Sequence, residues 1–150
     1  MTMSRARLLD FLRLRRYAVE SSIHRDGTPQ SAIVGIAVSD AFEIVFDTVA
    51  TSRKGQNLRR QGDIALAIGS LEGDDERTVQ YEGIADEPTG AELARITQLY
   101  LGVFPDGVER QGWPDLIYVR VTPYWVRYSD YNVDPPEIVE LDAEALRRLE

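Results

Sequence analysis

With 150 residues, 43% of them hydrophobic and 28% charged, the chain is long enough to bury a core and has the composition of a soluble globular domain. A formal net charge of −8 and a pI near 4.7 exclude a general affinity for nucleic acid or an anionic membrane. The absence of cysteine excludes disulfides, thiol nucleophiles and cysteine-ligated metal, and a single histidine, His24, excludes most zinc sites. No stretch approaches the roughly 18 apolar residues of a membrane span. The arginine-rich N-terminus is interrupted by Asp10, Arg13, Arg15 and Arg16 and does not read as a secretory signal, so a cytoplasmic protein is expected.

Residues 4–16 carry Leu8, Leu9, Phe11 and Leu12 at helical spacing between arginines, which predicts a covering helix with a solvated basic face. Residues 17–24 read as a strand ending at the Arg25-Asp26-Gly27 turn. The run 32–38 is nearly all apolar, which predicts a second strand buried on both faces, with Gly35 marking a bulge or the close approach of a backbone or ligand. A third strand, 42–48, alternates Phe42, Ile44 and Phe46 with Glu43, Val45 and Asp47. Three antiparallel strands in so short a stretch predict a meander or barrel rather than a parallel sheet.

A short helix is expected after Ser52, stopped by Gln61-Gly62-Asp63, followed by a strand at 64–68 and an acidic surface loop at 71–76. The strand 78–85 places Thr78, Gln80 and Glu82 on one polar face, which is either solvated or turned to a ligand or partner subunit. Pro88-Thr89 opens the longest helix, whose stripe Leu93, Ile96, Tyr100 and Val103 reads as core. A sixth strand at 116–121, an interruption at Pro123 and a seventh at 124–128 complete the sheet. Residues 131–150 are expected as a tail, with a short helix or frayed end at 142–150. A single domain is expected.

The segment with chemical content runs from Phe42 to Arg60. A strand delivers Asp47 and Thr48 to a hydroxyl-rich loop, and Ser52-Arg53-Lys54 stand at the start of a helix with Asn57 one turn on. Hydroxyls, free backbone N–H groups and two cations at a helix start suit a phosphate, with Arg53 able to grip it bidentately and Lys54 acting as a point charge. Lys54 is the only lysine of the chain. The same letters also describe a solvated basic helix end. His24, beside a turn, reads first as a surface histidine.

The stretch Phe46-Asp47-Thr48-Val49-Ala50-Thr51-Ser52-Arg53-Lys54 resembles the flavin-phosphate segment of the pyridoxamine 5′-phosphate oxidase family, in which aromatic-x-Thr precedes Ser-Arg-Lys at this spacing. The order of the flanking strands also fits over residues 8–130. The resemblance implies a mainly β protein with flanking helices: a six- to seven-stranded antiparallel split β-barrel, homodimeric, with FMN bound at the subunit interface. It implies that Thr48, Ser52, Arg53 and Lys54 hold the phosphate and ribityl chain, with Asp47 and Asn57 as further candidates beside them. The backbone of residues 32–36, Ala32 and Val34 included, would lie against the flavin ring, which gives Gly35 a reason. Thr78 and Gln80 would then reach the partner's flavin, with Trp125 as a cross-subunit wall. Two departures separate the chain from vitamin B6 oxidation. Ala32 stands where the oxidases place an arginine, and no histidine follows His24 to complete their C-terminal Arg-x-His pair.

The expected function is therefore an FMN-dependent oxidoreductase acting on a small molecule other than the vitamin B6 phosphate. Arg127 and Tyr128 are candidate substrate-side groups. A deazaflavin cosubstrate on the same fold is one alternative, and a non-catalytic flavin- or haem-binding protein is another.

Overall fold

In the computed structural model, which describes residues 2–69 and 73–150, an eight-stranded antiparallel sheet curls into a split barrel. Its strands are β1 (Tyr17–Ile23), β2 (Pro29–Gly35), β3 (Ala37–Val38), β4 (Ile44–Val49), β5 (Asp63–Gly69), β6 (Arg77–Asp86), β7 (Leu116–Asp130) and β8 (Glu137–Asp142). The order across the sheet is β2-β1-β5-β6-β7-β4-β3, with β8 also on β7. Helices α1 (Arg5–Leu14), α2 (Arg53–Arg60), α3 (Gly90–Val103), α4 (Gly107–Arg110) and α5 (Ala143–Arg148) flank it.

The curl originates in β7. Its first half, 116–121, pairs with β4, and its second half, 125–130, pairs with β8 on the same edge, while β6 runs along the other edge from 120 to 130. The register with β6 slips between Glu82 and Gly83, opposite Pro123 and Tyr124. Pro123 has no N–H to give the ladder, and a bulge there increases the local twist. The backbones close in at this point: a Cβ on Gly83 would lie 2.5 Å from the Thr122 carbonyl oxygen. The two halves expected at 116–121 and 124–128 are therefore one bent strand, with the proline inside it.

The barrel interior is filled from both faces of this bend. Phe11 of α1 meets Tyr128 edge-on at 5.7 Å between ring centres, alongside the fully buried Leu8, Leu12, Phe46 and Val126. Ser4 caps α1, accepting from the Arg7 N–H. The buried Tyr81 hydroxyl lies 2.8 Å from the Phe42 carbonyl oxygen, which ties β6 to the turn before β4. A second cluster joins Ile96, Tyr100 and Phe104 of α3 and its C-terminal end to Ala37 and Val45 on the outside of the barrel.

Several expectations change. Strand 32–38 is not buried on both faces: Val34 is buried, but Ile33 is 73% exposed and pairs in register with the exposed Val19. Gly35 owes its identity to packing, because a Cβ there would lie 2.7 Å from the Phe104 ring. The apolar stripe of α3 holds at Ile96, Tyr100 and the partly buried Val103, while Leu93 is exposed. The expected C-terminal tail contains β8, hydrogen-bonded to β7, and then α5, whose Leu146 is buried. Part of the acidic loop, residues 70–72, lies outside the described residues.

Replacing Gly83 by Ala is expected to lower stability by about 2 kcal/mol, because neither backbone at the bend can retreat. Gly102→Ala, where a helical Cβ would meet nothing within 4 Å, is expected to leave stability unchanged or raised. Urea midpoints of the two variants check the contrast.

Candidate functional site

The site is assembled where β4 hands over to α2. The chain leaves β4 at Val49, turns through Ala50 and Thr51, and enters the helix at Ser52, whose Oγ accepts from the Gly55 N–H at 3.1 Å. Thr48 Oγ1 lies 3.2 Å from the same hydroxyl, so two hydroxyls stand together at the helix start. The helix rests directly on the end of the strand: a Cβ on Gly55 would lie 2.7 Å from the Val49 carbonyl oxygen. With Gly55 capped, the N–H groups of Arg53 and Lys54 have no intrahelical acceptor. No acidic residue occupies the first turn.

A cavity of about 340 Å³ opens beside this helix start, lined by Glu20 and Ser22 of β1, Pro29, Gln30, Ser31 and Ala32 of β2, and Arg53 and Lys54 of α2. Asn57 holds the three elements together. Buried to 1% exposure, it donates from Nδ2 to Ser22 Oγ and Gln30 Oε1, both at 3.0 Å. The Gln30 amide is thereby oriented with its oxygen engaged and its Nε2 without an acceptor among the described residues. Arg53 and Lys54 make no ion pair with the described residues, whereas arginines elsewhere are spent on partners such as Glu43, Asp47, Asp86 and Glu137.

The structure sends the residues singled out from sequence to different places. Ala32, Ser52, Arg53 and Lys54 border the cavity or its helix cap, Thr48 joins the cap, and Asn57 braces it from beneath. The side chains of Val34 and Asp47 point elsewhere, which for Val34 leaves the expectation on its backbone untouched. Val34 is in the core, and the Asp47 carboxylate accepts from the Tyr100 hydroxyl at 3.0 Å and from Arg110 Nε at 2.7 Å on the α3–α4 side of β4. Gln80 and Trp125 line a separate groove of about 220 Å³ with Val19 on the outer face of the sheet, and Thr78 is exposed on β6. Within one chain this group does not meet the first. Arg127 and Tyr128 are structural: Arg127 pairs with Glu140 at 3.2 Å, and Tyr128 is buried in the core. His24 sits in the β1–β2 turn with Nδ1 2.9 Å from Asp26.

Comparison with known proteins bears on the family and the fold. The family model described as pyridoxamine 5′-phosphate oxidase matches residues 4–130. The chain belongs to the pyridoxamine 5′-phosphate oxidase family. Among solved structures, the family fold is shared with a haem-binding protein from Mycobacterium smegmatis at a TM-score of 0.82 and 19% identity, covering 97% of this chain and 61% of that one. The chain thus spans less than two thirds of that protein's length. A conserved hypothetical protein from Mycobacterium tuberculosis aligns at a TM-score of 0.72 and 26% identity, over 93% of this chain and 92% of the other. A pyridoxamine 5′-phosphate oxidase-related, FMN-binding protein from Nostoc punctiforme aligns at a TM-score of 0.66 and 12% identity, over 85% and 80%. No functionally curated protein matches the sequence.

Glu20, like Gln30 and Ser31, lines the cavity without having been singled out from the sequence. Glu20 is 1% exposed and accepts no hydrogen bond from the described residues, its Oε2 being wholly enclosed. The signal was present in strand alternation: Glu20 shares the inward face of β1 with Ala18 and Ser22, a position for apolar or small residues. Desolvation pushes its pKa up to about 7, opposed by the attraction of Lys54. In the unfolded chain it would ionise near the ordinary glutamate value. The folded state therefore holds the extra proton, and stability is full below about pH 4.5 and falls as pH rises through about 7. The loss amounts to about 3 kcal/mol. Glu20→Gln removes this ionisation, so the stability difference between variant and wild type should grow in the variant's favour from pH 5 to pH 8. Urea unfolding at both pH values measures it.

Proposed function

We propose that the chain is an FMN-dependent oxidoreductase that holds the flavin phosphate at the start of α2. The observation that supports this reading is the pair Arg53 and Lys54. Among the described residues they have no ion-pair partner, in an acidic protein, and they stand with uncapped helix N–H groups over a cavity of about 340 Å³. A phosphate monoester carries nearly two negative charges, and this donor set offsets its desolvation. The residues present fit the group: Ser52 and Thr48 add hydroxyls, and Gln30 Nε2 is a further donor at the rim. Bound flavin supplies the hydride chemistry, and the chain contributes binding and orientation. That division of labour requires no histidine or cysteine at the site.

The cavity is too small to enclose the whole cofactor, and we place the ring toward a second subunit. The outward face of the β1–β2 hairpin carries exposed Tyr17, Val19 and Ile33, an apolar surface of the kind that marks an interface. Val19 also borders the groove of Gln80 and Trp125. A homodimer formed on this face would bring Gln80 and Trp125 of one subunit to the flavin of the other. The substrate is a small molecule without the vitamin B6 phosphate's recognition groups, because Ala32 offers no cation and Tyr128 is enclosed in the core.

The visible spectrum of the purified protein tests the cofactor. A flavin doublet is expected; a Soret band would favour haem, and a colourless protein a deazaflavin or no cofactor. Arg53→Ala with Lys54→Ala is expected to abolish flavin retention while leaving the circular dichroism unchanged, and undiminished flavin in that double variant would sink the reading. Ile33→Asp is expected to convert the dimer to monomer and to reduce bound flavin by about tenfold or more, as measured by light scattering and absorbance. A monomeric wild type would overturn the dimer.

A further inference from the structure

Thr48 and Asp47 are neighbours in β4, yet alternation sends Thr48 to the helix cap and Asp47 to the far side of the strand. There the Asp47 carboxylate accepts from Arg110 Nε at 2.7 Å and from the Tyr100 hydroxyl at 3.0 Å. Arg110 donates in addition to Tyr100 and to Asp106. The stretch of chain that carries Arg110 holds β4 a second time. The Arg110 carbonyl accepts from the Trp113 N–H at 2.8 Å, and the chain then reaches Asp115, whose carbonyl accepts from the Ala50 N–H, also at 2.8 Å. Residues 110–115 therefore grip β4 at Asp47 and again at Ala50, where the strand has become the turn. The site is built on that turn. The Val49 carbonyl accepts from the Ser52 N–H at 2.9 Å. A Cβ on Gly55 would lie 2.7 Å from the Val49 carbonyl oxygen and 2.8 Å from that of Ala50, so α2 is seated directly on both residues. Asn57 ties the same helix to Ser22 and Gln30 on the strand wall of the cavity. A displaced turn would tilt Arg53 and Lys54 against that fixed wall.

We propose that Arg110 is a positioning residue for the cavity at the start of α2: through Asp47 and the Asp115 carbonyl it holds the 49–52 turn where Arg53 and Lys54 face β2. Its own side-chain partners are Asp47, Tyr100 and Asp106, and none of them lines the cavity. Its influence on a ligand is geometric, and misplacing binding groups by about 1 Å can cost as much as a hundredfold. Arg95 supplies the natural contrast. It also joins α3 to β4, through Glu43, but at the end of the strand away from the turn. The inference rests on the reading of Arg53 and Lys54 as phosphate-holding cations, and it adds a residue that lies outside their site.

Titration of cofactor-free protein with FMN, followed by flavin fluorescence, tests it together with amide hydrogen exchange of the unliganded protein. Arg110→Gln and Asp47→Asn should each weaken FMN binding by about tenfold or more, and the two losses should not add, because both remove one contact. Arg95→Gln should leave the affinity unchanged. Without ligand, Arg110→Gln should speed exchange of the Ala50 N–H by about tenfold or more and leave the β1–β5 ladder unaffected. The double variant Asp47→Asn with Arg110→Gln leaves no unpaired charge, so it keeps the test open if a single variant fails to fold. Unchanged FMN affinity in the double variant overturns the proposal. So does equal weakening in Arg95→Gln, which would make the effect one of lost stability, and so does an Ala50 N–H that exchanges as in wild type. If Arg53→Ala with Lys54→Ala abolishes binding while the Arg110 variants do not weaken it, this inference alone falls. If wild type binds no FMN, the proposed function falls and this inference with it.

Discussion

The close approach of β6 and β7 at Gly83 and Thr122 is the constraint on which the shape of the sheet depends. With a separation that leaves no room for a Cβ, the two strands cross the bend in contact, and the register slip at Glu82/Gly83 absorbs the extra residue. Pro123 makes the interruption tolerable, because the ladder bond it cannot form falls at the bulge. Past the bend, β7 exchanges β4 for β8 as its edge partner, which lets a single sheet wrap around Phe11, Phe46 and Tyr128. A flat eight-stranded sheet of this composition would expose those side chains on one face.

The site follows from that curvature. Wrapping brings the β1–β2 hairpin back toward the end of β4, and α2 spans the gap. Asn57 secures the span with one amide that reaches both strands of the hairpin, while Gly55 seats the helix on β4. These two contacts fix the distance between the cationic wall and Glu20. The charge there is local in origin. The protein is acidic overall and uses many of its arginines in ion pairs, including the Arg95–Glu43 and Arg120–Asp86 pairs and the Asp47–Arg110–Tyr100 cluster. The first turn of α2 lacks an acid to compensate it, so the positive field of the helix start adds to Arg53 and Lys54 rather than being cancelled.

Much of this was legible in the letters because it depends on short-range chemistry. Ser52 as a cap, the stop after Arg60, the alternation of β6 and the start of α3 at Thr89 are local decisions, and the structure keeps them. The motif around Ser52-Arg53-Lys54 identified the family for the same reason. What could not be read depended on distant partners. Pro123 looked like a strand break because its bulge is defined by Gly83, forty residues earlier in a different element. β8 has the alternating pattern of a half-exposed edge strand, and only its pairing with β7 gives it a place. Asp47 sits inside the recognised motif, yet strand alternation turns it away from Thr48, toward a tyrosine and an arginine supplied by α3 and α4. Glu20 is the reverse case: its charge suggests solvent, while alternation with Ala18 and Ser22 puts it on the inward face of β1, where it is buried.

The barrel does not choose its ligand. Proteins of this fold include one that binds haem and one that binds FMN, so the choice must be carried by side chains at the rim. A haem site needs a broad apolar slot and an axial donor, and the cavity beside α2 offers neither, being walled by Arg53 and Lys54 and floored by a carboxyl, a serine and an amide. Its polarity is also ordered in space, with cations on the helix side and acceptors on the strand side. The carboxyl of that floor is Glu20, which strand alternation places on the inward face of β1 although its charge alone points to solvent.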